Sequence, residues 1–332
     1  MEHIGERTGA SLQETSQPKP TFMIAGASKS GTTSLYAYVS QHPDVFMPGH
    51  KEPEFFIAPD GEVLTVDGLR GKHVNTNRVN TLADYQALFT SAKGELAVGE
   101  ASANYLYMPG SAGRIQAYVP DAQIIFILRN PAERAFSAYL HHIRDGLEDK
   151  DFATALAHEE RRIADGWSTL YHYRSKGYYY DQLCRFYNVF GKDQVHVFLY
   201  EDLKDDPVGL SQRIFKILGV DDTFVPDVGT KHNLSGTPKN ATLQQLYRFL
   251  NSSNKSGLKS LGKQLLPARF RQTVKQGAMQ RLEEINLSRT TMLPEVRLDL
   301  QGGYREDTEK LQVLIGRDLS GWLASLTNTT SC

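Results

Sequence analysis

The stretch that most constrains this chain is FMIAGASKSGTTSLYAYV, Phe22 to Val39. FMIAG predicts a short buried strand, Gly26 to Gly31 a tight turn, and TTSLYAYVSQ a helix that stops before His42-Pro43. Strand, glycine turn and helix in that order open a parallel α/β sheet. The two glycines have the separation of a nucleotide-triphosphatase loop, G-x-x-x-x-G-K-[ST]. Here, however, Thr32 stands where that loop has its lysine, and Lys29 lies two residues before Gly31. The anion-binding elements survive the rearrangement. Backbone N–H groups of a tight turn, continued by a helix N-terminus, favour negative charge, and Thr32, Thr33 and Ser34 add hydroxyls.

Similar units follow along the chain. QIIFILRNP predicts a buried strand, Ile124 to Leu128, and then a helix start: Asn130 as cap, Pro131 at the first helical position, Glu133 placed for a capping box. TLADYQALFTSA and residues 151–165 and 177–190 predict helices. A short apolar run, Leu96 to Val98, ends in Gly99-Glu100. VHVFLYEDL predicts another buried strand and GLSQRIFKILGV an amphipathic helix with a glycine stop. Residues 57–80 have no lasting periodicity and read as a long excursion at the rim of a substrate cleft. The expected fold is α/β, a phosphate-loop-type central parallel sheet flanked by helices with a helical C-terminal portion. Residues 1–20 are expected to form a mobile polar tail and residues 21–332 a single domain.

Composition narrows the partners. A formal net charge of −1 provides no global field for nucleic acid or an anionic membrane, so a basic site has to be local. Two cysteines, Cys184 and Cys332, argue against a disulfide scaffold, and no His/Cys/Asp grouping has zinc spacing. No run of about 18 apolar residues predicts a membrane span, and the N-terminal segment has no apolar signal core. The sequence therefore reads as cytoplasmic.

A magnesium-nucleotide enzyme usually has an apolar strand that ends in Asp to help hold the ion. The strand IIFIL ends instead in Arg129, a guanidinium suited to a second phosphate. The competing carboxylates are Glu201 and Asp202, after VHVFLY. The local charge pattern points to a nucleotide with two phosphate clusters and no metal.

With these motifs in view, the sequence resembles the sulfotransferases that use 3′-phosphoadenosine 5′-phosphosulfate (PAPS). SKSGTTS is similar to their 5′-phosphosulfate loop, and ILRNPAERAFSAYLHH, Ile127 to His142, to their 3′-phosphate motif. KEPEFF, Lys51 to Phe56, resembles the K-E-x-x-F-F run of the heparan-sulfate and related carbohydrate branch; KGYYYDQLCRF, VHVFLYEDLKDDP and IGRDLSGWL resemble later segments. The resemblance covers almost the whole chain after about residue 21. It implies that Lys29 contacts the 5′-phosphate and the oxygen bridging to sulfur, that Ser30, Gly31, Thr32, Thr33 and Ser34 bind the 5′-phosphate, and that Arg129 and Ser137 bind the 3′-phosphate. Glu52 would be the general base, with Glu54 as a fallback, and Lys51 would face the sulfuryl oxygens or an acidic acceptor. Tyr179 would be an adenine-stacking ring.

The sequence also departs from the family pattern. After Glu100 the carbohydrate branch often has a lysine near a Thr-Pro-x-Tyr run; here Ala101-Ser102-Ala103-Asn104-Tyr105 follows. No R-K-G loop is present, and GTKHNLSGTPKNATL offers Lys239 or Lys231 as the distal 3′-phosphate cation. His141 and His142 read as packing residues with a histidine base as the alternative, and Trp167 and Trp322 as core anchors. The implied reaction moves a sulfuryl group to a hydroxyl, less readily an amine, of a glycan, glycolipid or small metabolite. Two other readings stand beside it: a Mg-ATP-dependent small-molecule kinase with Glu201 and Asp202 on the metal, and a non-catalytic nucleotide-binding protein.

Overall fold

The computed structural model describes residues 18–69, 71–229, 237–238, 287–288 and 290–323. Lys231, Lys239 and most of the N-terminal tail lie outside them. Strands β1 (Phe22–Gly26), β2 (Val45–Phe46), β5 (Ala97–Ala101), β6 (Gln123–Leu128) and β7 (Val195–Leu199) form one sheet in the order β2-β5-β1-β6-β7. Every pairing in it is parallel, with Phe22 opposite both Gly99 and Gln123 and Ile124 opposite Val195. A minor antiparallel pair, β3 (Thr65–Val66) and β4 (His73–Val74), lies apart.

Strand alternation sorts the core into two layers. On one face Phe22, Ile24, Ile125 and Ile127 pack with α1 (Thr32–Val39), α8 (Tyr200–Asp205) and α9 (Pro207–Leu218) through Leu35, Leu203 and Ile214. On the other, Met23, Ile124 and Phe126 meet α3 (Ser111–Tyr118), α7 (Tyr179–Phe190) and α11 (Arg305–Ile315) through Ile115, Phe186 and Leu311. A third cluster joins α4 (Pro131–Asp145), α5 (Phe152–Ala157) and α10 (Pro294–Gly303) around Phe136, Tyr173 and Leu300. The remaining α-helices among the described residues are α2 (Leu82–Ala87) and α6 (Glu159–Ala164). The chain passes from β5 to β6 across β1, so the strand order reverses at β1. A crevice outside the carboxyl ends of strands at such a point is where open α/β sheets bind ligands.

Several local expectations need correction. β5, expected to end at Glu100, runs one residue further to Ala101; the Phe22 ring fills the space a side chain at Gly99 would need and Glu100 is accommodated in the interior. The helix expected over 151–165 is two helices broken at His158. Asn130 caps α4, its side chain accepting from the N–H groups of Ala132 and Glu133, but Glu133 does not return a bond to complete a capping box: it pairs with Arg297 instead. Trp322 lies in the core, whereas Trp167 is half-buried, its ring under the Arg162 guanidinium at 4.9 Å. No helix among the described residues is long and apolar enough to cross a membrane.

Candidate active site

A cleft of ≈ 400 Å³ opens at the C-terminal ends of β5, β1 and β6. The phosphate loop lines it with Lys29, Gly31, Thr32, Thr33 and Ser34; α4 and the end of β6 supply Arg129 and Ser137; Glu52 and Glu54 face them from the segment before Phe55. Residues 108 positions apart in sequence, Lys29 and Ser137, are thus brought to one cavity by strands that are sheet neighbours.

The loop is built for an anion. Gly31 has φ +100, and a β-carbon there would meet Leu203 at 2.5 Å, so both the turn and the packing require glycine. No side chain caps α1, which leaves its first-turn amides facing the cavity without an internal acceptor. Around them the cations reinforce one another. Burial, then the nearby Arg144, Arg129 and Lys51 charges, depress the Lys29 ammonium from 10.5 to about 8, against a smaller opposing effect of Asp145. Holding it there costs roughly 3 kcal/mol relative to water, a cost that a bound dianion would offset. Among the described residues Lys29 forms no ion pair with a carboxylate. Arg129 donates to the Lys29 carbonyl at 3.3 Å and stacks over the Tyr200 ring at 4.7 Å, which fixes the plane of its guanidinium.

The opposing wall is acidic. The Glu52 N–H donates to the Ala101 carbonyl at 2.9 Å, tying the segment to the end of β5, and the Ala103 N–H donates to Glu52 Oε2 at 2.7 Å. Lys51 pairs with Oε1. Glu54 accepts from the Asn104 amide, and burial pushes its carboxyl above the usual range, with the Glu52 charge adding to the effect. The positive-φ residues other than glycine among the described residues are Lys29, Glu52 and Glu54, with φ 67, 59 and 50. Such backbone costs on the order of 1 kcal/mol or more per residue and persists where the surroundings impose it. Here all three instances line one cleft.

The described residues of the excursion over 57–80 are not among those lining the cleft. Its role is behind the wall: buried Arg78 donates to the carbonyls of Glu54 at 3.2 Å and Phe55 at 2.9 Å. Two other site expectations are not met in the cleft. Tyr179 is 0% exposed and donates its hydroxyl to the Arg129 carbonyl at 3.0 Å, so it supports the strand end from beneath and presents no stacking face. Ser30 is likewise buried under the loop. His141 and His142 do line the cleft, but burial, followed by Lys29 for one and His141 for the other, lowers each to about 3. Both stay neutral at ordinary pH and are weak proton acceptors, which leaves the carboxylates as the basic groups of the cleft. The carboxylates of the kinase reading are engaged elsewhere: Arg317 grips both oxygens of Asp202 at 2.9 and 3.0 Å, and Glu201 accepts from the Trp322 indole at 3.3 Å.

The lining residues not anticipated from sequence include Asn104, Arg134 and Lys176. Lys176 Nζ donates to Asn104 Oδ1 at 2.6 Å, on the far side of the same amide that reaches Glu54. The available signal was a lysine within the aromatic run of residues 171–180, next to Gly177.

The residues are compatible with PAPS: a lysine without a carboxylate partner among the described residues, beside the uncapped N-terminus of α1, lies at one part of the cleft, and Arg129 and Ser137 at another. Comparison with known proteins agrees. A family model described as "Sulfotransferase family" matches residues 20–224. A crystal structure of a sulfotransferase from Alicyclobacillus acidocaldarius is 35% identical and superimposes with a TM-score of 0.70, covering 92% of this chain and 99% of that one. Among curated proteins, carbohydrate sulfotransferase 15 of Rattus norvegicus is 30% identical over 40% of this chain, and the bifunctional heparan sulfate N-deacetylase/N-sulfotransferase 3 of Homo sapiens is 26% identical over 63% of it. The membrane-associated sulfotransferase kil1 of Dictyostelium discoideum is 29% identical over 36% of this chain. The matches span only 29%, 23% and 22% of those proteins' own lengths, respectively.

Proposed function

The chain belongs to the sulfotransferase family, and from that premise we propose that residues 21–332 act as one unit that transfers the sulfuryl group of PAPS to a hydroxyl of a glycan, glycolipid or small metabolite. The observation that carries this reading is the pairing, in one cleft, of a loop lysine that forms no ion pair with a carboxylate among the described residues and a fixed carboxylate opposite it.

Each residue has a defined task. Glu52 accepts the acceptor hydroxyl's proton as its oxygen attacks sulfur; the Ala103 N–H holds Oε2 so that the carboxylate keeps its orientation. The bond from sulfur to the 5′-phosphate oxygen breaks, and its electron pair becomes negative charge on that oxygen. Lys29, with the amides and hydroxyls of Thr32, Thr33 and Ser34, stabilises the charge where it appears. Arg129 and Ser137 hold the 3′-phosphate and thereby the register of the donor. The products are a sulfate ester and 3′,5′-adenosine diphosphate, and cationic side chains supply the stabilisation that a metal supplies in kinases. The name of carbohydrate sulfotransferase 15 favours a carbohydrate acceptor, and that of the heparan sulfate N-sulfotransferase keeps an amine as the second choice.

The reading is tested by incubating the chain with PAPS and glycan, phenol and alkyl-alcohol acceptor sets, scoring sulfate ester and 3′,5′-adenosine diphosphate by mass spectrometry. Equimolar appearance of both, lost in Glu52→Gln, is expected. Phosphorylated products from Mg-ATP, with none from PAPS, would overturn it.

A further inference from the structure

Two cations at the inner end of the cleft have no part in the transfer step above. Arg134, on α4, is 1% exposed, and Lys176, on the short turn Ser175–Gly177, is 7% exposed; both line the cavity that holds Lys29 and Glu52. Arg134 donates to the Tyr173 carbonyl through Nη2, while its Nε and Nη1 are buried without a hydrogen-bond partner. Lys176 has its bond to Asn104 and the Tyr107 ring 5.4 Å away. Among the described residues neither forms an ion pair with a carboxylate. The acids that act on Lys176 from further off are themselves engaged: Glu54 with the Asn104 side chain, Glu52 with Lys51 and the Ala103 N–H, and Glu159 with the N–H groups of Arg174 and Ser175 at 2.6 and 2.7 Å.

The fold spends several contacts to hold Lys176 there. Glu159 anchors the turn on one side, and the Tyr304 hydroxyl donates to the Arg174 carbonyl at 2.8 Å. The same ring occupies the space a β-carbon at Gly177 would need, 2.6 Å away, so that only glycine lets the turn lie this close. Buried cations without a paired carboxylate are unfavourable, and a structure pins them in a cavity at that cost when an anion arrives from outside. Behind them a void of ≈ 10 Å³ touches Arg134, Lys176 and Gln182, which is room for about one water. A water there would satisfy the unpartnered Gln182 Oε1 and one Arg134 N–H. It would supply hydrogen bonds and no charge.

We propose that Arg134 and Lys176 form an oxyanion site of their own, separate from the phosphate loop, that takes an oxyanion group carried by a substrate. That group is either the transferred sulfuryl or an acidic substituent of the acceptor; the donor's nucleotide phosphates are held by Lys29, Arg129 and Ser137. Asn104 places the site beside the Glu52–Glu54 wall, and α4 places it beside Ser137, so it lies between the base and the donor. The proposal rests on the donor-site reading of the cleft.

The test is calorimetric titration of inorganic sulfate into the chain saturated with 3′,5′-adenosine diphosphate, for wild type, Lys176→Met, Lys176→Arg and Arg134→Lys. Lys176→Met should weaken sulfate binding by about tenfold or more, Lys176→Arg should restore most of it, and nucleotide affinity should change by no more than about threefold. Arg134→Lys, which keeps the charge, checks the site in a variant that retains its fold by circular dichroism, and should weaken sulfate binding less than Lys176→Met. An absence of sulfate binding by the wild-type complex, sulfate binding indifferent to Lys176→Met, or equal weakening of both ligands would overturn the proposal. The ratio of PAPS to 3′,5′-adenosine diphosphate affinity then identifies the occupant: it narrows in Lys176→Met for the sulfuryl group and is unchanged for an acidic acceptor. If wild type binds no nucleotide, the donor reading alone fails. Sulfate titrated into the Lys29→Met chain then reads the site directly, with a further loss in Lys29→Met/Lys176→Met supporting it and no further loss overturning it.

Discussion

The Arg129 guanidinium donates to the backbone carbonyl of Lys29 at 3.3 Å, so the side chain that ends β6 also fixes the loop that follows β1. The two cations are therefore one mechanical unit. Arg129→Ala should weaken 3′,5′-adenosine diphosphate binding by about 10- to 100-fold, roughly 1.4–2.7 kcal/mol, and should also erode the preference over 5′-AMP. Arg129→Lys, unable to donate in the same plane, should recover little. Titration of both nucleotides into both variants checks this.

The base and the donor site are separable by mutation. Glu52→Gln keeps an acceptor oxygen for the Ala103 N–H but cannot take a proton, so turnover should fall by about 10²- to 10⁴-fold with donor affinity nearly unchanged. Glu54→Gln, whose carboxyl already binds Asn104, should cost far less. Steady-state kinetics with the first acceptor found distinguishes the two carboxylates.

The pH dependence follows from Lys29. Its ammonium is depressed to about 8 in the ligand-free chain, so raising pH through that value discharges it and removes the charge that receives the 5′-phosphate. Nucleotide affinity should rise toward pH 7 as the ligand's phosphates reach the dianion and decline above about pH 8, and a bound dianion should push that upper inflection upward. The decline should be reduced in Lys29→Met, with the remainder due to Lys176, which burial also lowers to about 8.

Glu100 gives a stability effect of definite sign. It is 0% exposed on β5, and burial raises its carboxyl from 4.5 to about 8, with Glu52 and Glu54 adding. A group protonated in the folded chain and ionised in the unfolded one contributes stability that is complete below about pH 4.5 and lost as pH rises through 8. Glu100→Gln, a neutral isostere, should match wild type near pH 4.5 and melt at a higher temperature near pH 9.

The Asp202–Arg317 pair is half-exposed, and breaking it with Asp202→Asn should cost about 1 kcal/mol or less of stability. Nucleotide binding in Mg²⁺ or EDTA should be unchanged by that substitution. A loss of Mg²⁺-dependent binding would return Asp202 to the metal role that Arg317 now blocks.

Much of this was legible in the sequence because the relevant signals are local. FMIAG and IIFIL are continuous apolar runs, as strands covered on both faces should be, VHVFL at the sheet edge is interrupted by His196 and only part-buried, and Lys29, Arg129 and Ser137 stand at fixed offsets from strand ends. AVGEA was legible as a strand reaching Glu100, but the burial of that carboxyl and the Phe22 ring packed against Gly99 are tertiary features with no local signal. Lys176 and Arg134 were missed for a related reason. A buried lysine 72 residues from the asparagine it bonds has no periodicity to announce it, and Arg134 looks like any charged helix residue until the Tyr173 segment closes over it. Tyr179 erred in the opposite direction: its motif predicted a ligand face, and tertiary packing turned the ring inward.

The central claim is a metal-independent site for a nucleotide carrying both 3′- and 5′-phosphates. Calorimetric titration with 3′,5′-adenosine diphosphate, with and without Mg²⁺ and alongside ATP and 5′-AMP, tests it most directly. Tight binding that ignores Mg²⁺ and collapses when the 3′-phosphate is removed is the predicted result. Preferential binding of Mg-ATP, or equal affinity for 5′-AMP, would contradict it.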